Sequence, residues 1–146
     1  MALAERRANL TWKGNLTQGN GSITTGSGVL SDLPVTWASR TERPDGKTSP
    51  EELIASAHAA CYAMAFSNTL AQAGNPPEEL NITAICSLDR VETGLKITTM
   101  TLDVRGKVPG IDQATFVDLA QKAETGCPVS NALRNNVAIT VTAHLE

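Results

Sequence analysis

The chain lacks any concentration of positive charge: no Lys/Arg run exceeds the pair Arg6-Arg7, net charge is -3 and the isoelectric point lies near 5.4. That argues against a protein that grips nucleic acid or a membrane surface by electrostatics. No apolar stretch approaches the ~20 residues of a membrane span. Met1-Ala2-Leu3-Ala4-Glu5-Arg6-Arg7 has neither the apolar segment nor the cleavage site of a secretory signal. Three cysteines, an odd number, are too few for a disulfide scaffold. Neither a Cys-x-x-Cys nor a His-x-x-x-His pair of the kind zinc sites use is present. What is there is globular: 146 residues, 41% hydrophobic and 18% charged, enough for one domain over 1–146 with a real core. A cytosolic protein is expected, with cysteines that are either inert or chemical.

The pattern along the chain predicts an α+β fold. Leu10 and Trp12 alternate with Asn9, Thr11 and Lys13, and Ile23-Thr24-Thr25 makes a second short strand between glycine breaks. Val35-Thr36-Trp37-Ala38-Ser39 predicts a third, running into a polar loop from Arg40 to Lys47 that contains the turn residues Pro44-Asp45-Gly46. Ser49-Pro50-Glu51-Glu52 then reads as a helix start, with Ser49 as cap, proline first and Glu52 reaching back. The helix should run from Pro50 to about Ala73, stopped by Gly74 and Pro76-Pro77.

Between Leu53 and Phe66 its only frankly polar side chains are Ser56 and His58, and eight of the nineteen residues from 55 to 73 are alanine. Such a helix needs cover on nearly all sides, more than a domain of this size supplies, so a homodimer is inferred. Further strands follow at 82–88 and 95–107, joined by Glu92-Thr93-Gly94, with the alternation slipping near Thr99 as at a bulge. Asp112 caps a helix that Gly126 closes, Cys127-Pro128 opens a short helix to about Arg134, and Val137 to Leu145 alternate as a last strand. The expected architecture is mostly antiparallel sheets packed around a long buried central helix.

Chemistry starts from the cysteines. Cys86 sits on the inward face of a strand, as a small hydrophobe does. Cys127 follows Gly126 at a helix start, where partial positive charge lowers a thiol pKa; capping without chemistry is the alternative. Cys61 lies mid-helix, where burial makes a thiol inert unless a cation stands beside it. Lowering a thiol from about 8.5 to about 6 takes about 3.4 kcal/mol. One unit charge about 4 Å away at an effective dielectric of about 20 supplies about 4 kcal/mol, so one arginine suffices in principle. His58, three residues before Cys61, shares its side of the helix; a Cys-His pair, a metal ligand and a satisfied packing histidine all fit. Glu52 is explained by the cap, whereas Glu51 is uncommitted and roughly 15 Å along the axis from Cys61.

Ser27-Gly28-Val29-Leu30, Ser49-Pro50-Glu51-Glu52-Leu53-Ile54, Ala57-His58-Ala59-Ala60-Cys61 and Gly126-Cys127-Pro128-Val129-Ser130 fall in the order and spacing of the OsmC/Ohr family. These are the osmotically inducible protein C and organic hydroperoxide resistance proteins, which the chain resembles essentially throughout. Val108-Pro109-Gly110-Ile111-Asp112 fits the OsmC branch. The resemblance implies a thiol peroxidase for organic hydroperoxides that needs no metal or bound cofactor. It makes Cys61 the peroxidatic and Cys127 the resolving cysteine, sets Arg40 over Cys61, and gives Glu51 the task of holding that arginine. It also implies an intertwined homodimer with the site at its interface, and an external dithiol reductant such as a lipoyl-bearing protein or dihydrolipoamide.

Two departures accompany the match: Thr41 stands where an aromatic residue commonly follows the arginine, and the loop from Arg40 to Pro50 is one residue longer than the OsmC pattern. The Ohr branch draws its arginine from nearer the N-terminus, where Arg6 and Arg7 lie, while Ser27-Gly28-Val29-Leu30 favours Arg40. A Cys61-His58 acyl transferase and a binding module for a small apolar ligand are the rival readings.

Overall fold

A computed structural model describes residues 1–146. Contacts divide the chain into two compact units, 1–53 and 54–146.

The first unit is a meander whose turns are set by glycines. Strands β1 (Ala8–Lys13), β2 (Asn20–Thr25) and β3 (Leu33–Val35) form an antiparallel sheet in that order. Gly21 faces Trp12 on one side and Val35 on the other, and a Cβ there would lie 2.9 Å from both side chains. The third strand is shorter than expected, because residues 37–41 turn into a helix, α1 (Trp37–Thr41). The cause is a reciprocal cap: the Thr36 hydroxyl accepts from the Ser39 N–H at 3.1 Å, and the Ser39 hydroxyl accepts from the Thr36 N–H at 2.9 Å. Two satisfied backbone donors outweigh the β preference of Val-Thr-Trp.

The loop after α1 returns to β3, where the Thr48 N–H donates to the Pro34 carbonyl at 2.9 Å and Ser39 Oγ lies 2.8 Å from the Thr48 carbonyl. Helix α2 (Pro50–Gln72) then begins where its cap predicts. Ser49 Oγ accepts from the Glu52 N–H, and the Thr48 hydroxyl donates to the Glu52 carboxylate.

The second unit holds β4 (Glu79–Val91), β5 (Gly94–Lys107), α3 (Gln113–Thr125), α4 (Pro128–Leu133) and β6 (Ala138–Leu145). β4 and β5 are a long antiparallel hairpin. Ser87 pairs with Thr99 but Leu88 pairs with Ile97, so Thr98 is the extra residue of the expected bulge, and its hydroxyl bonds Asp89. β6 lies parallel to β5, the one exception to the antiparallel expectation. A parallel partner needs a crossover, and α3 with α4 is that crossover. Asp112 caps α3 by accepting from the Thr115 N–H at 2.8 Å.

α2 presents Tyr62, Phe66 and Leu70, one per turn, to Leu102 and Val104 of β5 and to Phe116 and Ala120 of α3, all fully buried. The Tyr62–Phe66 and Phe66–Phe116 ring centroids are 5.7 and 5.1 Å apart. Cover on nearly all sides does not hold within a single chain: Ala57, Ala60 and Ala71 are exposed, and Met64 is 73% exposed. No helix is long and apolar enough to cross a membrane.

Gly106 of β5 is where the Phe116 ring meets the sheet. A Cβ there would lie 2.7 Å from Phe116 Cζ and 3.0 Å from Leu80 Cδ2. Because the ring is buried and packed on Phe66, it has little room to yield. Gly106→Ala is expected to cost about 1–3 kcal/mol in urea unfolding, and an unchanged midpoint would contradict this packing.

Candidate active site

The first unit supplies a charge pair. Arg40 ends α1 and Glu51 opens α2, and the loop pinned by Thr48 makes residues eleven apart face each other. Arg40 Nε donates to Glu51 Oε1 at 3.0 Å and Nη2 donates to the same oxygen at 2.9 Å, with Oε2 3.3 Å from Nε. The Glu51 side chain is 8% exposed and that of Arg40 32%, so the carboxylate is buried against the guanidinium while Arg40 keeps an open edge. Nη1 makes no hydrogen bond within the chain and remains available to a ligand. Beside it is a cavity of about 220 Å³, walled by Leu10, Trp12, Leu16, Val35 and Trp37. The site thus pairs a fixed cation with an apolar wall. Arg6 and Arg7 are exposed, and Arg6 donates to the Glu5 carbonyl, while Glu51 pairs with Arg40.

The second unit supplies the sulfur chemistry. Cys61 projects from the middle of α2, and Cys127 is the N-cap residue of α4, where it makes no side-chain capping bond. Across 66 residues of sequence their sulfurs stand 3.3 Å apart, with the Cys127 thiol donating toward Cys61. Neither is in a disulfide. A disulfide bond is about 2.05 Å, so a small side-chain movement joins the two. Cys127 is fully buried and Cys61 partly so. Burial pushes the Cys61 thiol up, the Val129 backbone N–H pulls it down, and the neighbouring Cys127 sulfur pushes it up again. The local surroundings therefore disfavour a Cys61 thiolate. Cys86 lies on β4, half-buried opposite Met100, in keeping with a packing role.

One turn away, His58 Nε2 is 2.7 Å from Ser130 Oγ, and both side chains are fully buried. Burial lowers the His58 pKa, with Glu124 pulling the other way, so the ring is neutral near pH 7. No group of three or more His, Cys, Asp or Glu is arranged to hold a metal ion. Of the three readings of His58 (cysteine partner, metal ligand, satisfied packing histidine), its bond to Ser130 fits the third. Ser130 had one sequence signal, its position one helical turn after Cys127, matching His58 one turn before Cys61. The tryptophan-walled cavity had none, since its walls come from β1, the loop after it, β3 and α1.

The chain is similar to known proteins in sequence and in fold. The family model described as OsmC-like protein matches residues 43–142. The peroxiredoxin OsmC of Escherichia coli is 42% identical over 134 residues, 92% of this chain and 93% of that protein. The organic hydroperoxide resistance protein OhrA of Bacillus subtilis is 30% identical over 112 residues, 75% of this chain and 77% of that one. Among solved structures, the organic hydroperoxide resistance protein OhrB of Bacillus subtilis superposes with a TM-score of 0.76 at 28% identity, covering 94% of this chain and 98% of that one.

Because the His58 pKa is lowered from 6.5 in the folded chain, the unfolded chain takes up the proton first on acidification. Stability should be level above about pH 6.5 and decline as pH falls through and below that value. His58→Gln, which cannot titrate, should flatten this limb of the urea midpoint measured from pH 8 to 5; identical slopes in both proteins would contradict the buried neutral ring.

Proposed function

The chain belongs to the OsmC-like protein family, and on that premise we propose that it reduces organic hydroperoxides to alcohols with Cys61 and Cys127. The observation that carries this reading is the pair of unoxidised sulfurs at 3.3 Å. The Cys61 thiolate attacks the distal oxygen of ROOH, the O–O bond breaks, and the alkoxide leaves as alcohol after taking a proton. Sulfur gives up two electrons and becomes a sulfenic acid. Cys127 attacks that sulfur, its thiol proton leaves with the hydroxide as water, and a Cys61–Cys127 disulfide forms. Two exchanges with an external dithiol, such as dihydrolipoamide or a lipoyl protein, return both thiols and leave the dithiol oxidised.

Arg40 is the cation this scheme assigns to the Cys61 sulfur. Burial opposes Cys61 ionisation, so a positive charge must offset it. A bidentate carboxylate fixes the guanidinium plane and leaves Nη1 open. That edge can polarise the peroxide oxygens while the apolar wall of Trp12, Trp37 and Leu10 receives the hydrocarbon group. Hydrogen peroxide gains nothing from such a wall, so the organic substrate is favoured. The exposed Ala57, Ala60 and Met64 of α2 support a homodimer whose partner subunit covers that face. Three cysteines, too few for a disulfide scaffold, suit the cytoplasm.

Turnover of cumene hydroperoxide with dihydrolipoamide tests the scheme. Cys61→Ser should abolish it. Arg40→Ala should slow oxidation of the Cys61 thiol roughly thirtyfold at pH 7, since loss of about 3.4 kcal/mol of thiolate stabilisation leaves a thiol that is almost wholly protonated at that pH. The loss should recover as pH rises, because the uncompensated thiol then ionises unaided. Undiminished consumption in Cys61→Ser, or an unchanged rate in Arg40→Ala, would overturn the assignment.

A further inference from the structure

Residues 58 and 61 on α2 and residues 130 and 127 on α4 form two rungs between the helices. One is His58 Nε2 to Ser130 Oγ at 2.7 Å; the other is Cys61 Sγ to Cys127 Sγ at 3.3 Å. Each rung is three residues from the other on both helices, so fixing one sets the register of the second. We propose that His58 and Ser130 are positioning residues that hold Cys127 on line with the Cys61 sulfur for the disulfide-forming step. This rests on the peroxidase reading above and concerns its second half only.

Helix α4 has few anchors of its own. It has six residues, starts without a side-chain cap, and cannot hold its own place by intrinsic helicity. Its C-terminal end is tied to α3: Arg134 Nη1 donates to both Glu124 carboxylate oxygens at 2.8 and 2.9 Å, and Nη2 donates to the Glu124 carbonyl and to Asn131 Oδ1. That tie joins residues 124 to 134 to one another and moves with them. The His58–Ser130 bond, together with the Val129 N–H at the Cys61 sulfur, joins α4 to the helix that carries Cys61, and it is fully buried, where water does not compete for it. His58 Nδ1 is also buried and has no partner, an uncompensated group that the fold tolerates at this position. A neutral ring whose Nε2 is engaged with Ser130 does not supply the cation that Cys61 needs.

The chemical consequence is selective. Attack on Cys61–S–OH must follow the S–O axis, and a reacting atom displaced by about 1 Å loses on the order of a hundredfold in rate. A longer-lived sulfenic acid meets a second hydroperoxide and is oxidised to sulfinic acid, which a dithiol does not restore. Loss of the polar rung should therefore leave the first oxidation intact, slow resolution and expose Cys61 to irreversible oxidation.

Single-turnover kinetics with cumene hydroperoxide separate the two steps: sulfenic acid is trapped with dimedone, and disulfide and sulfinic acid are read by mass spectrometry. His58→Ala and Ser130→Ala should oxidise Cys61 within about twofold of the unaltered protein and form the disulfide at least about tenfold more slowly. Sulfinic acid at Cys61 should accumulate under excess hydroperoxide. His58→Gln, whose amide reaches the place of Nε2, should recover most of the resolving rate. Should His58→Ala fail to fold, Ser130→Ala, which removes one oxygen, carries the test.

Disulfide formation at the unaltered rate in Ser130→Ala would overturn the proposal, as would a parallel slowing of the first oxidation in either alanine variant. If hydroperoxide leaves the unaltered protein untouched, the peroxidase reading fails by itself. Diamide then closes the same two thiols without a sulfenic acid, and equal closure rates in the protein and its variants would remove the positioning role as well.

Discussion

The approach of two sulfurs to 3.3 Å, from positions 66 residues apart, is the constraint that the second unit is built to satisfy. It starts with a stripe on α2: Tyr62, Phe66 and Leu70, four residues apart, lock one face of the helix onto the sheet and α3. Cys61 precedes that stripe directly and inherits its rigidity. The parallel pairing of β6 with β5 then forces the chain to cross over, and the crossover ends in α4, with Cys127 at its first turn. A purely antiparallel sheet would have needed no α3–α4 connection and would have left Cys127 without a place beside α2.

Burial dominates the electrostatics of Cys61. Cys127, at the start of α4, is fully buried against the Cys61 sulfur. Burial raises Cys61, and a single backbone N–H from Val129 opposes it. Ionisation of the sulfur is thus opposed by its own surroundings. Arg40, the cation proposed for it, has two nitrogens bonded by Glu51 and a third without a partner in the chain.

Legibility in the sequence followed the range of the interaction. Caps and stops are local, so Ser49, Asp112, Gly74 and Gly126 placed the helices within a residue or two. The bulge opposite Ser87 was visible as a slip in alternation. Residues 37–41 were misread because Val-Thr-Trp has the composition of a strand, while the hydrogen bonds that decide the matter run between two hydroxyls, Thr36 and Ser39, without the acidic residue that marks a capping box. The direction of β6 could not be read, since alternation is the same in parallel and antiparallel strands. The long-range partners were beyond local pattern: Arg40–Glu51 came from resemblance, and His58–Ser130, 72 residues apart, came only from the fold.

The account stands or falls on whether Cys61 and Cys127 act as one redox pair. Thiols should be counted on the denatured protein before and after one equivalent of cumene hydroperoxide, with the linked peptides identified by mass. The expected result is a fall from three thiols per chain to one, the survivor being Cys86, with a Cys61–Cys127 cross-link that a dithiol reverses. Three thiols persisting after treatment, or a bond that involves Cys86, would contradict it.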